Sequence, residues 1–250
     1  LLIIGGATAA FLVVVLTSPF YTTPSCTDNV QNQDEDGIDC GGSCAYLCLS
    51  QHQPPTILFT KVLTNSAGRA DVIALVENKN ISAAAKNVPY SIKLYSATRG
   101  LIQEVTGTLD LPPGMAVPVF IPGVASASAS PGKKIVTNAF LSIEASSPKW
   151  FSMTSATDSR IVPEVLSPIL GGTTAFPRIE VALRNSSVTT LSNVRVVTIV
   201  HDDKGSVMAA SSTIVPSIPG QGQSVAIFTW NEAFPRAPSL IEVIPIIPLP

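Results

Sequence analysis

At 250 residues the chain has room for two domains of ordinary size, and with 46% hydrophobic against 13% charged residues it has ample apolar material for cores. A net charge of −2 gives no basic face of the kind nucleic-acid binding needs. Its 21 prolines and few stretches of 3.6-residue periodicity argue against a helical protein and leave a mainly β class.

The chain opens on Leu1–Leu16 (LLIIGGATAAFLVVVL), an apolar, uncharged run ended by Thr17-Ser-Pro-Phe-Tyr21. A helix needs about 20 apolar residues to cross a bilayer. That length is reached if Pro19, Phe20 and Tyr21 sit at the outer interface, where aromatic rings are favoured. Residues 1–21 are therefore expected to form one hydrophobic α-helix that anchors the chain in a membrane. A pilin-like assembly helix, left after a basic leader is clipped and partnered by neighbouring subunits, is the alternative. A cleaved signal peptide or a buried strand is the third reading. The missing initiator Met favours assembly; the Ile4-Gly5-Gly6 start, without a glutamate, and the break at Pro19 oppose it.

Residues 22–51 have a different composition. The only four cysteines, Cys26, Cys40, Cys44 and Cys48, crowd into it with Asp28, Asp34, Glu35, Asp36 and Asp39, and no basic residue accompanies them. Just beyond a membrane segment, four cysteines read as two disulfides in an oxidising compartment, with three pairings open. A zinc site is the rival, since Cys40-x-x-x-Cys44-x-x-x-Cys48 has metal-like spacing.

The run Asn32-Gln-Asp34-Glu-Asp36-Gly37-Ile-Asp39 alternates oxygen ligands ahead of a glycine turn, the pattern of a calcium loop. Asn32, Asp34, Asp36 and Asp39 are thus a candidate Ca2+ site, weak and of extracellular grade. The run resembles the start of an EF-hand or thrombospondin type-3 loop, but Ser43 stands twelfth, where Glu is wanted, and Cys40 ninth. Asp39-Cys40-Gly41-Gly42 is similar to a recurring Asp-Cys-Gly-Gly motif of microbial surface proteins. The plainer reading is a solvated acidic turn stapled by disulfides.

Residues 49–55 (LSQHQPP) read as a linker with His52 in solvent. A pattern of roughly forty residues then occurs twice. In the first copy Val72-Ile-Ala-Leu-Val76 runs into Asn78, then Asn87-Val88 and the strand Tyr90-Ser-Ile-Lys-Leu-Tyr95, Gly100, Pro113-Gly114 and a strand closing on Phe120. In the second, Ile179-Glu-Val-Ala-Leu183 runs into Asn185, then Asn193-Val194, the strand Arg195–Val200, Gly205, Pro219-Gly220 and Phe228. The β-branched and aromatic content suits a pleated, half-buried surface, with Tyr90, Ile92 and Leu94 on one face and Ser91, Lys93 and Tyr95 on the other. Gly100 and Gly205 are expected to supply positive φ in matching turns.

This order of features resembles the FxLYD family and related late-embryogenesis-abundant-type and fibronectin-like modules of microbial surface proteins. The resemblance covers most of residues 55–250 and implies Ig-like sandwiches outside the membrane, with no catalytic residues to carry over. The expected fold is mainly β: two tandem Ig-like β-sandwiches, residues 52–158 and 159–250, behind the one N-terminal hydrophobic α-helix (1–21) and the acidic disulfide segment (22–51). Polar residues 154–160 mark the boundary between the sandwiches. Trp150 should cover the first core or the joint between the halves, and Trp230 should lie in the second core.

A search for chemistry finds no G-x-S-x-G elbow, H-E-x-x-H pair or phosphate loop. His201-Asp202-Asp203 reads as a turn, because consecutive residues point different ways. Asn80-Ile-Ser82 and Asn185-Ser-Ser187 match the glycosylation sequon. No catalytic residue and no cofactor beyond the candidate calcium is expected. The reading is a membrane-anchored, extracytoplasmic structural or binding protein that presents two Ig-like domains to a surface protein or glycan. Alternatively it is a pilin-like subunit of an extracellular filament assembled through the N-terminal helix.

Overall fold

A computed structural model describes residues 25–32, 34–65, 69–126, 135–154 and 156–250; the helix expected over 1–21 lies outside them. Among the described residues no helix is long and apolar enough to cross a membrane, and helical structure is confined to a 3-10 turn at Leu49–Gln51. The chain divides into two compact units, Leu1–Gln51 and His52–Pro250. The boundary expected near 154–160 falls inside the second unit.

Within His52–Pro250 the first half forms β1 (Thr56–Thr64), β2 (Arg69–Glu77), β3 (Ala83–Tyr95), β4 (Leu101–Leu111), β5 (Ala116–Ser126), β6 (Asn138–Ser142) and β7 (Trp150–Ser152). These make two antiparallel sheets, β1-β2-β5 and β4-β3-β6, with β7 paired to the start of β3. The second half forms β8 (Glu164–Val165), β9 (Ile169–Gly172), β10 (Pro177–Arg184), β11 (Leu191–His201), β12 (Val207–Ile218), β13 (Gln223–Thr229) and β14 (Leu240–Ile246). Its sheets are β13-β10-β8, with β9 also on β10, and β12-β11-β14. The connections repeat: β2 corresponds to β10, and β3 through β6 correspond to β11 through β14. The fold is mainly β and sandwich-like, and the duplication read from the sequence is present in its strand order.

Each half is fastened at the same place by a buried asparagine. Asn78 Nδ2 donates to the carbonyls of Ala83, Leu111 and Pro112 at 2.8, 3.2 and 2.9 Å. Asn185 Nδ2 donates to those of Thr189 and Ile218 at 2.7 and 3.3 Å. The side-chain oxygens accept from the backbone N–H two residues on, Asn80 and Ser187, both at 3.0 Å. One amide thus ties the end of β2 or β10 to the crossing that follows and to the end of the strand 33 residues away. The Asn-Val pairs have their own reason: Asn87 and Asn193 both sit at φ 53°. Asparagine tolerates that left-handed conformation, and a valine does not.

The hairpin turns correct one expectation. Gly205 has φ 72°, but the left-handed residue of the first hairpin is Arg99 at φ 61°, not Gly100. Hydrogen bonds align them: Arg99 N donates to Ser96 O at 2.9 Å as Gly205 N donates to Asp202 O at 3.0 Å. Gly114 and Gly220 also differ. Gly114 needs its φ of 61°, whereas Gly220 needs space, since a Cβ there would lie 2.1 Å from Val188 O.

The half-buried expectation holds for β3, where Ile92 and Leu94 are buried and Lys93 is exposed, and is corrected for β11. Val72 through Val76 in β2 and Val196 through Val200 in β11 are buried without a break. One face of each strand fills its own half; for β11 these residues include Val194, Val196 and Val200, packed with Ile179, Val181, Leu183 and Phe228. The other face joins the halves, where Ile73 and Leu75 share a cluster with Val197, Ile199, Val207 and Ala210. Strands covered on both faces lose polar/apolar alternation. Lys61 of β1 donates across the same contact to Val207 O.

Two further contacts hold the halves together. In the 154–160 turn, Arg160 pairs with Asp158 at 2.7 Å, its side chain 6% exposed, and donates to Ile247 O. After β14 the chain returns to the first half. There Leu249 packs with Ala84 and Met153, its N–H donates to Asp110 Oδ2 at 2.8 Å, and Lys86 Nζ donates to Pro250 O at 2.9 Å.

Replacing Asn78 with Ala strands several buried carbonyls. It should lower the unfolding free energy by about 3 kcal/mol, and Asn185→Ala by about 2 kcal/mol, in urea denaturation. Losses near those of an exposed asparagine would show that the amides are not the fasteners.

Candidate functional site

The acidic cysteine segment is the most distinctive stretch of chemistry. Its pairing is Cys26–Cys44 and Cys40–Cys48, so both disulfides form and the zinc alternative loses its thiolates. The bridges interleave, spanning 18 and 8 residues. Loops of those lengths are worth about 3 and about 2.5 kcal/mol if each closed alone. The Asp-Cys-Gly-Gly string explains how they close. Gly41 and Gly42 have φ 73° and 55°, and a Cβ on them would lie 2.5 Å from Asp36 Oδ2 and 1.9 Å from Asp34 O. Gly37 packs against both Cys40 and Cys48, leaving its Cβ position 3.0 Å from each sulfur.

The carboxylates of the expected calcium site turn inward to protein donors. Asp39 accepts from the N–H groups of Asp28 and Asn29 at 3.0 Å. Asp36 Oδ2 accepts from Gly42 N at 2.9 Å and Gln51 Nε2 at 2.8 Å. Asp34 Oδ1 accepts from Ser43 Oγ at 2.7 Å, and Asn32 Nδ2 donates to Asp28 Oδ2 at 2.8 Å. The Asn32 amide, followed by the Val30 and Ser25 N–H groups, holds the Asp28 carboxyl below its ordinary range; the Ser43 hydroxyl does the same for Asp34. Among the described residues, the one grouping of three His, Cys, Asp or Glu donors is Cys26, Glu35 and Cys44, whose sulfurs are bonded to each other. Asn32, Asp34, Asp36 and Asp39 are spread over the loop as caps, so a cation would have to displace these donors.

The histidines are placed differently from expectation or more specifically. His52 is not solvated: its ring stacks on Trp150 with centroids 5.1 Å apart, and burial pulls its pKa below the ordinary value. Trp150 itself is buried in β7 and Trp230 packs edge-on to Phe234 beside the second core. His201 ends β11, with Nδ1 3.2 Å from Gly205 O and Nε2 3.2 Å from Glu242 Oε2. Asp202 caps the turn, accepting from Ser206 N at 2.8 Å and Lys204 N at 3.0 Å. Those bonds, with Arg236 beside it, hold the Asp202 carboxyl below its usual range. In the first half Ser96 fills the same post, accepting from Gly100 N at 3.2 Å. The trio lies at the passage from β11 into its turn, where its sequence places it.

Neither sequon offers a free asparagine in the folded chain. Asn185 is the buried fastener, and Asn80 clamps Gln53, accepting from its N–H at 2.7 Å and donating to its carbonyl at 2.8 Å. An open groove of about 310 Å3 runs between the halves, with Tyr90 and Arg195 among its lining residues. Burial raises the Tyr90 pKa, partly offset by Arg195. No spacing rule in the sequence brings those two residues together.

No protein-family model matches the chain, and no curated protein matches it. Among solved structures it is similar to red sea bream transglutaminase, at 12% identity over 77% of this chain and 29% of that one, with a TM-score of 0.27. A likeness at that score carries no argument about fold or activity.

Two outcomes are expected. Peptide mapping without reduction should return Cys26–Cys44 and Cys40–Cys48 from the native chain and mixed pairings from Gly42→Ala, whose Cβ the loop cannot hold. Calcium added through the millimolar range of weak extracellular sites should leave the melting temperature unchanged. A saturable rise would mean that the carboxylates re-aim onto the ion.

Proposed function

We propose that the chain is a membrane-anchored, extracytoplasmic structural or binding protein. In this reading residues 1–21 form the anchoring helix, the disulfide-bonded acidic segment is a short spacer, and two tandem Ig-like sandwiches of FxLYD-like kind are displayed outward. The observation that carries it is the interleaved pair of disulfides directly after an apolar, uncharged run. Such bridges persist in oxidising compartments, and a segment of this size has little core of its own. The engagement of several polar side chains supports display over turnover: Asp36, Asp39 and Asp202 cap backbone N–H groups and His52 stacks on Trp150. Binding by such folds uses loops and strand edges.

The test is topological. Protease added to intact cells of the native host should digest residues 52–250 while leaving a membrane-bound fragment that contains the N-terminal run. Digestion only after the membrane is permeabilised would overturn the reading.

A further inference from the structure

The contact between β1-β2-β5 and β12-β11-β14 joins unlike faces of like halves. Each half therefore keeps one counterpart face that no other strand of His52–Pro250 covers among the described residues. The counterpart of β1-β2-β5 is β13-β10-β8, and that of β12-β11-β14 is β4-β3-β6. The paired asparagines fix the correspondence residue by residue. Counting back from Asn78 and Asn185, Ile73 corresponds to Glu180; counting on from Asn87 and Asn193, Ile199 corresponds to Lys93.

Ile73 and Ile199 lie in one buried cluster. Their counterparts are an acid and a base on the two uncovered faces. A second pair follows the same rule. Asp71 and Ala210, which line one pocket at the internal contact, correspond to Arg178 and Glu104, again of opposite charge. Apolar side chains surround both sets. Ile169, Val225 and Ile227, cross-strand neighbours of the β10 residues, are 67, 51 and 41% exposed. On the other face Phe140, opposite Lys93, and Leu101, opposite Tyr95, are 63 and 52% exposed. Glu180 now pairs with Arg178 at 3.0 Å, both side chains more than 40% exposed, a pair weak enough to exchange partners.

We infer that the β13-β10-β8 face of one molecule docks on the β4-β3-β6 face of a second copy, repeating the internal contact with Glu180 meeting Lys93 and Arg178 meeting Glu104. Buried isoleucines make the internal contact permanent; charges at the same posts make the external one reversible and selective for its complement. A contact between unlike faces does not close as a two-fold dimer, so it adds molecules in a row or a ring. The inference is independent of where the chain resides.

Sedimentation velocity on the full chain in detergent, over a range of concentrations, tests it. The native chain should show masses that grow with concentration. Lys93→Glu and Glu180→Lys, both at exposed posts that leave the cores intact, should each raise the dissociation constant about tenfold. Combining them should restore it to within about threefold of native, since the pair is then swapped and not lost. Association driven by the apolar N-terminal run would ignore all three variants. That result, or a monomer at every concentration, would overturn the inference.

Discussion

The buried side-chain amides of Asn78 and Asn185 are the interaction on which the rest depends. A sandwich strand that leaves one sheet for the other must turn inside the core margin, where its carbonyls lose water and have no ladder partner. In each half one amide supplies those bonds, and its own oxygen is satisfied by the next turn. With that corner fixed, the register of β2 against β5 and of β10 against β13 follows, and so does the aim of every alternate side chain. The same geometry also explains why a sequon lies at Asn185 without offering an acceptor.

Burial on both faces of β2 and β11 then makes the two halves into one compact unit. The residues that decide this are ordinary aliphatics, Ile73, Leu75, Val197 and Ile199. At the corresponding posts on the outer sheets, Glu180, Ala182, Ser91 and Lys93 leave those faces wet. One duplicated strand plan therefore has two outcomes, set at a few positions of its central strands, and the strand order is shared.

Much of this was legible in the sequence. The repeat, its asparagines, its long strands and the class of fold follow from strand periodicity and turn chemistry that are local. The disulfides were legible as a count, and their pairing was not, because three arrangements satisfy the same composition. The acidic run reads in two ways. Alternate oxygens ahead of a glycine describe a calcium loop and equally a loop whose Asp28, Asp36 and Asp39 cap its own N–H groups. Only the direction of each carboxylate separates the two, and spacing does not encode direction. His52 looked solvated because its partner, Trp150, is far away in sequence. The run Val72–Val76 is apolar at every position and is covered on both sides, whereas Thr198 interrupts the run Val196–Val200, whose cover on both sides the sequence did not show.

The return of Leu249 and Pro250 to the first half bears on the order in which the protein is made. A chain emerging from the ribosome, N-terminus first, presents β1 through β7 long before Leu249 exists. Until then Ala84 and Met153 have Phe151 but not Leu249 against them, and Asp110 has only the Asn87 N–H to hold. The first half thus waits, incompletely sealed, for the last residues of the second. Its final closure comes after the second half has been synthesised, so the two finish folding together although one is born well before the other.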